Sequence, residues 1–144
     1  MRLIENKKLG LSYSVEDKIE AGIELLGTEV KALRQKLGSL EGGKAIVRGG
    51  EVFLVGIFIP PYQENNTPKS YDPYRTRKLL LNKSEILKII RLEESKNLTI
   101  VPISLYIKNN LVKCEIGLCK KKQKGDKREN IKKDIARREL KNAK

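Results

Sequence analysis

The residues of this chain best suited to chemistry are cations set directly against leucines. In DPYRTRKLLLNKSE (72–85), Arg75, Arg77 and Lys78 run straight into Leu79, Leu80 and Leu81. A guanidinium presents a planar fork of donors that matches a phosphate, and an aliphatic side chain beside it can lie against a base or ribose face. Asp72-Pro73 interrupts the chain ahead of the segment and biases it towards an extended conformation. In a strand, Arg75, Arg77, Leu79 and Leu81 share one face, while Thr76, Lys78 and Leu80 share the other. Two readings stay open. In one, Leu79 and Leu81 fill a core while the cations at the mouth of the strand are only solvated. In the other, Arg75, Arg77 and Lys78 grip phosphates, with Leu80 exposed to pack on a nucleotide.

Glu20 raises the same question with the opposite charge. It lies on the polar face of a long alternating segment, as a solvated carboxylate or as an acceptor for base amino groups. Other chemistry finds little support. The chain has no histidine, which removes Ser-His and Cys-His nucleophiles and the commonest general base. Cys114 and Cys119 are too few for a zinc site and read as thiols of a reducing compartment. Glu16 and Asp17 are adjacent in a strand, so they point apart and cannot share a metal. GSLEGGKA (38–45) has the glycines and lysine of a phosphate loop, but Ala45 replaces the magnesium-binding hydroxyl. That loop must also run from strand into helix, and here a helix precedes and a strand follows. No cofactor, metal or catalytic residue is expected.

The elements that must position these groups are mostly strands. Tyr13, Val15, Ile19, Ala21, Ile23 and Leu25 alternate with Ser14, Glu16, Lys18, Glu20, Gly22 and Glu24, the pattern of a long half-buried strand. Gly27-Thr28 opens a short helix, with Thr28 as cap, Glu29 at its positive end, Val30, Leu33 and Leu37 along one face, and Gly38 as its stop. KAIVRGGEVFLVGIF (44–58) reads as a hairpin turning at Gly49-Gly50. PPYQENNTPKSYDP (60–73) is a polar loop. Asn82 and Glu85 form a capping pair for a helix with Ile86, Ile89 and Ile90 on its core side. A second hairpin places Ile103, Leu105 and Ile107, then Asn109-Asn110, then Val112, Cys114 and Ile116. The expected fold is mainly β with short helices, a small closed antiparallel β-barrel.

Length allows one ordinary domain, burying roughly 70% of its unfolded surface. The chain carries 31 Lys and Arg against 18 Asp and Glu, a net charge of +13, which calls for a polyanionic partner. No run of residues is long and apolar enough for a membrane span, and MRLIENKKLG lacks a signal-peptide core, so the expected place is the cytosol and no membrane partner is expected. The composition changes at Lys120. Residues 120–144 hold twelve basic and four acidic residues, with Ile131, Ile135 and Leu140 as the large apolar ones. The division expected is a barrel domain over 1–119 and a basic tail over 120–144, disordered alone and helical against a polyanion. Lys120, Lys121 and Lys122 open that tail as candidate RNA contacts.

Taken in order, YSVEDKIEAGIELLGTEVKALR (13–34), EVFL (51–54), DPYRTRKLLLNKSEI (72–86), LTIVPISLYIKNNLVKCEIGL (98–118) and GDKREN (125–130) resemble the tmRNA-binding family of bacterial trans-translation, also called the SsrA-binding or small protein B family. The resemblance covers nearly the whole chain. It implies a barrel of the oligonucleotide/oligosaccharide-binding type that binds the tRNA-like domain of tmRNA. It also implies partners in elongation factor Tu and the ribosome, with the tail lying in the empty messenger channel near the decoding centre. The family's RNA-binding glutamate and leucine fall on Glu20 and Leu80, and its tail motif falls on Asp126, Lys127 and Arg128. Where the family carries NKKARH this chain has NKKLGL (6–11), which leaves Asn6 and Lys7 as the N-terminal RNA contacts. Gly125 and Ile135 stand where many members carry an aromatic or histidine before the motif and a tryptophan later. Ile131, Lys132, Lys133, Arg137 and Arg138 complete the tail residues expected at the messenger channel. The competing reading is a general single-strand binder on the same barrel, which would rely on aromatic platforms. This chain has five Tyr, two Phe and no Trp.

Overall fold

The structure, a computed structural model, describes residues 2–62, 68–96 and 98–122. Its strands are β1 (Arg2–Glu5), β2 (Tyr13–Ile23), β3 (Lys44–Arg48), β4 (Glu51–Val55), β5 (Arg77–Leu80), β6 (Thr99–Lys108) and β7 (Leu111–Lys121). Its helices are α1 (Leu9–Ser12), α2 (Gly27–Arg34) and α3 (Lys83–Lys96). The strands follow the order β1-β6-β3-β4-β5-β2-β7, and β7 pairs back onto β6. Six strands therefore form a closed hydrogen-bonded ring, with β1 added outside it on β6. Every pairing is antiparallel. Two seams are narrow: β3 meets β6 at Ala45↔Ile100, and β2 meets β5 at Gly22↔Leu80 and Ile23↔Leu79.

Local signals set much of this. Gly49 and Gly50 take φ of 60° and 77°, the left-handed pair that a two-residue hairpin needs, and Arg48 faces Glu51 across the turn. Asn109 and Asn110 do the same at φ 53° and 64°, which a short amide side chain tolerates. The Asn82 Oδ1 accepts from the Glu85 amide at 2.8 Å, and the Asn82 amide donates to Glu85 Oε1 at 3.1 Å, closing the capping box of α3. The core gathers Ile19, Ala21 and Ile23 from β2, Leu54 from β4, Leu79 from β5, Ile100 and Leu105 from β6, and Cys114, Ile116 and Leu118 from β7. Ala32 and Leu33 of α2 and Ile89 of α3 cover it.

Four expectations change. Thr28 does not cap α2. The cap is Leu26, whose amide is met by Glu29 Oε1 at 2.8 Å reaching back from the first turn. The helix closes through Lys36 at φ 61°, with Lys36 N–H donating to Leu33 and Leu37 N–H to Ala32, so Gly38 lies beyond the stop and Leu37 is exposed. β6 carries a bulge between Pro102 and Ser104, which breaks period two. Leu105 faces the main core, while Ile103 packs with Leu9, Val101, Cys119 and Tyr13 in a smaller cluster by α1. A similar bulge between Val15 and Asp17 leaves Val15 exposed. β1 and α1 had no expectation. The phosphate-like GSLEGGKA segment runs from beyond α2 into β3, the context that rules out a phosphate loop. No described helix is long and apolar enough to cross a membrane.

Candidate RNA-binding surface

The outer face of β5, β2, β7 and β6 is built by register. Gly22 faces Leu80 on one side and Lys113 on the other, and Lys113 faces Tyr106. Leu80, Gly22, Lys113 and Tyr106 thus form one row across four strands, on the side opposite the buried Ala21, Leu79 and Cys114. Leu80 is 48% exposed. A Cβ on Gly22 would stand 3.1 Å from the Leu80 Cβ, so the glycine makes room for the leucine to lie across the sheet.

Glu20 stands one step along β2, opposite Glu115. Tyr106 donates its hydroxyl to Glu20, and Lys108 Nζ lies 3.4 Å away. The Tyr106 bond, helped by Lys108, holds the Glu20 carboxyl below its ordinary range, and burial with the Glu20 contact pushes the Tyr106 phenol up. Glu20 is therefore an oriented, ionised acceptor beside an exposed leucine. Tyr106, Lys108 and Lys113 belong to this surface and did not emerge from the sequence as candidates. Their alternation around Asn109-Asn110 was visible, but the pairing of β7 with β2 that brings them to Glu20 was not.

The cations of the opening motif separate. Lys78 is half-exposed on the outer face and meets Glu51 at 2.9 Å, a bond that raises its ammonium pKa. Arg77 points inward and is 0% exposed. Its Nε donates to Glu29 Oε2 at 2.9 Å, its Nη1 to the carbonyls of Ile57 at 3.1 Å and Arg75 at 3.0 Å, and its Nη2 to Glu29, to Tyr71 Oη at 3.2 Å and to the Pro73 carbonyl at 3.1 Å. Every donor is engaged within the protein, so Arg77 is not positioned to hold RNA and neither sequence reading foresaw its role. Arg75 is intermediate: its side chain is 29% exposed, and it pairs with Glu29 through Nη2 and, at 3.0 Å, through Nε. Burial pushes the Glu29 carboxyl up, but the bonds from Arg75, the Leu26 amide and Arg77 outweigh it and hold the group below its ordinary value.

The remaining candidates lie elsewhere. Asn6 donates Nδ2 to the Pro102 carbonyl at 3.2 Å and its amide to Ile103 at 2.8 Å, fastening the turn after β1, while Lys7 is exposed. Lys120 and Lys121 are exposed at the end of β7, opposite Ser14 and Tyr13. Lys122 is tied to α1, its Nζ donating to Gly10 at 2.8 Å and its amide to Ser12 at 2.9 Å. Seven residues of β2 separate Tyr13 from Glu20, roughly 20 Å at strand rise, so the expected contacts form two groups on the barrel. The division expected after Cys119 falls inside β7. Asp126, Lys127, Arg128, Ile131, Lys132, Lys133, Arg137 and Arg138 lie outside the described residues. Burial pushes the thiols of Cys114 to about 12 and Cys119 to about 11, leaving both unreactive. Among the described residues no cluster of three potential ligands could hold a metal.

A closed barrel whose functional groups are displayed on an outer sheet face, with acceptor, cation and apolar contact side by side, is a binding module. The chain belongs to the SmpB protein family, whose model matches residues 3–144. It is 47% identical over 133 residues to the SsrA-binding protein of Paraburkholderia xenovorans (strain LB400), covering 92% of this chain and 90% of that one. It is 46% identical, with the same coverage, to the SsrA-binding protein of Burkholderia thailandensis. Among solved structures, one described as "tmRNA-SmpB: a journey to the center of the bacterial ribosome" matches with a TM-score of 0.72 and 34% identity over 91% of this chain and 95% of that one.

Proposed function

We propose that this chain binds tmRNA through the outer face of β2, β5, β6 and β7 and brings it to stalled ribosomes for trans-translation, acting as an adaptor without catalysis. The observation that carries the reading is the row Leu80, Gly22, Lys113 and Tyr106 beside the oriented Glu20. Phosphate contacts supply affinity and Glu20 and Leu80 supply selectivity. Family membership and the likeness to a structure described with tmRNA and the ribosome support it. The closed antiparallel ring supports the oligonucleotide/oligosaccharide-binding type. Lys7, Lys78, Arg75, Lys120 and Lys121 are the cations we assign to phosphates. The basic tail after residue 119, with Asp126, Lys127 and Arg128, reads the empty messenger channel and decoding centre, and elongation factor Tu joins the alanyl-tmRNA complex. Such work places the protein in the cytoplasm.

The test is binding of a labelled tRNA-like fragment of tmRNA at about 150 mM salt against excess bulk tRNA, where purely electrostatic binding is easily competed. Retained tight binding supports the assignment. Complete displacement would leave a general nucleic-acid binder driven by net charge.

A further inference from the structure

Glu29 is, among the described residues, the one buried carboxylate, 1% exposed. It accepts hydrogen bonds from both arginines and from the Leu26 amide, and the Tyr71 hydroxyl lies 3.0 Å away, its one proton shared with the Ile59 carbonyl at 2.7 Å. We propose that Glu29 is a positioning residue of the RNA-binding surface, which sets the register and rigidity of β5 through Arg77 and Arg75; the inference rests on the RNA-binding reading above. β5 is four residues long and meets β2 at two residue pairs and β4 at three, so few ladder bonds fix its register. A slip of one residue would turn Leu80 into the core and Leu79 out. Arg77 opposes that slip. Its fork ties β5 to the carbonyls of Ile57, Pro73 and Arg75, and Glu29 anchors the fork to α2. A buried ion cluster is a poor source of stability compared with apolar packing, but its geometry is directional. Two guanidiniums on one carboxylate leave one positive charge in surplus. Arg77 is enclosed, so the surplus is expressed by Arg75 at the surface, in an orientation fixed by Glu29. Lys78 and Leu80, the exposed groups of β5, follow Arg77 by one and three residues.

The experiment uses the full chain as Glu29→Asp, Tyr71→Phe, Leu80→Asn and the double variant Glu29→Asp/Leu80→Asn. Glu29→Asp keeps the charge but draws the carboxylate back by one methylene, out of reach of both forks at once. Affinity for the labelled tRNA-like fragment is measured where circular dichroism shows every variant folded. Expected is a roughly tenfold loss for Glu29→Asp, within the span of one specific contact. The double variant should lose much less than the product of the singles, because Leu80 is already misplaced. A merely structural role would leave the losses multiplicative. Folded Glu29→Asp with native affinity, or fully multiplicative losses, overturns the proposal. Should Glu29→Asp not fold, Tyr71→Phe takes its place, with about a threefold loss coupled to Leu80→Asn expected and native affinity overturning it. A native chain that fails to hold the fragment against bulk tRNA overturns the RNA-binding reading itself, and the positioning role with it.

Discussion

Arg77→Lys separates a phosphate contact from an internal fork, because it keeps the charge and removes the geometry. Arg77 reaches a carboxylate oxygen, a phenol and three backbone carbonyls, all from a side chain with no exposure. An ammonium has three donors on a single atom. It can serve Glu29 and two further acceptors, leaving two of the five without the bond Arg77 gives them. A hydrogen bond from a charged group is worth about 1.5–3 kcal/mol, so the two lost in Arg77→Lys should cost about 3–6 kcal/mol. With a urea dependence of about 2 kcal/mol per molar, the unfolding midpoint should fall by roughly 1.5–3 M in far-UV circular dichroism. RNA affinity of the folded protein should keep its salt slope, because Arg77 neutralises no phosphate. A surface arginine on RNA would show the reverse: an unchanged midpoint and a reduced salt slope. That outcome would refute the placement of Arg77 inside the barrel.

Leu80→Asn and Glu20→Arg should each weaken binding of the tRNA-like fragment by about 1–3 kcal/mol, the scale of one lost specific contact, without moving the unfolding midpoint. Unchanged affinity in both would return the two residues to an ordinary solvated face. A chain ending at Lys122, which keeps the bonds of that residue to Gly10 and Ser12, should still bind tmRNA but no longer support peptide tagging in a reconstituted stalled-ribosome assay. Loss of RNA binding from a folded truncation would contradict the division between barrel and tail. The Glu29 carboxyl is held below its ordinary 4.5, so its contribution to stability is fully present above that value and is lost as the pH falls through the depressed one. Urea midpoints followed from about pH 6 to about pH 3 should drop, and drop less steeply in Glu29→Gln. Equal slopes would assign the acid loss to other carboxylates.

The features legible in the sequence depend on neighbours within a few residues. Gly49-Gly50 and Asn109-Asn110 can turn because their own backbones accept positive φ, and Asn82 with Glu85 can cap because three residues bring them within reach. Alternation put Glu20 on the polar face of its strand and Leu80 on the face opposite Leu79, since side-chain period is a property of the strand. The resemblance carried by the five segments from 13–34 to 125–130 pointed to the family to which the chain belongs.

What the tertiary structure decided is which distant group lies opposite. Alternation also put Arg77 on the face of Leu79, yet whether such a cation is solvated, buried or bound depends on its counter-charge, and Glu29 is 48 residues away. The same holds for Tyr106 and Lys108, which reach Glu20 across more than eighty residues. The bulges near Glu16 and Ile103 shift faces because one extra residue on β2 and one on β6 stand against β7, a matter of pairing between distant strands. Local chemistry fixed the strands, turns and exposed pair. Closure of the ring chose the partners, because a charge buried on folding must find its opposite wherever the fold brings one.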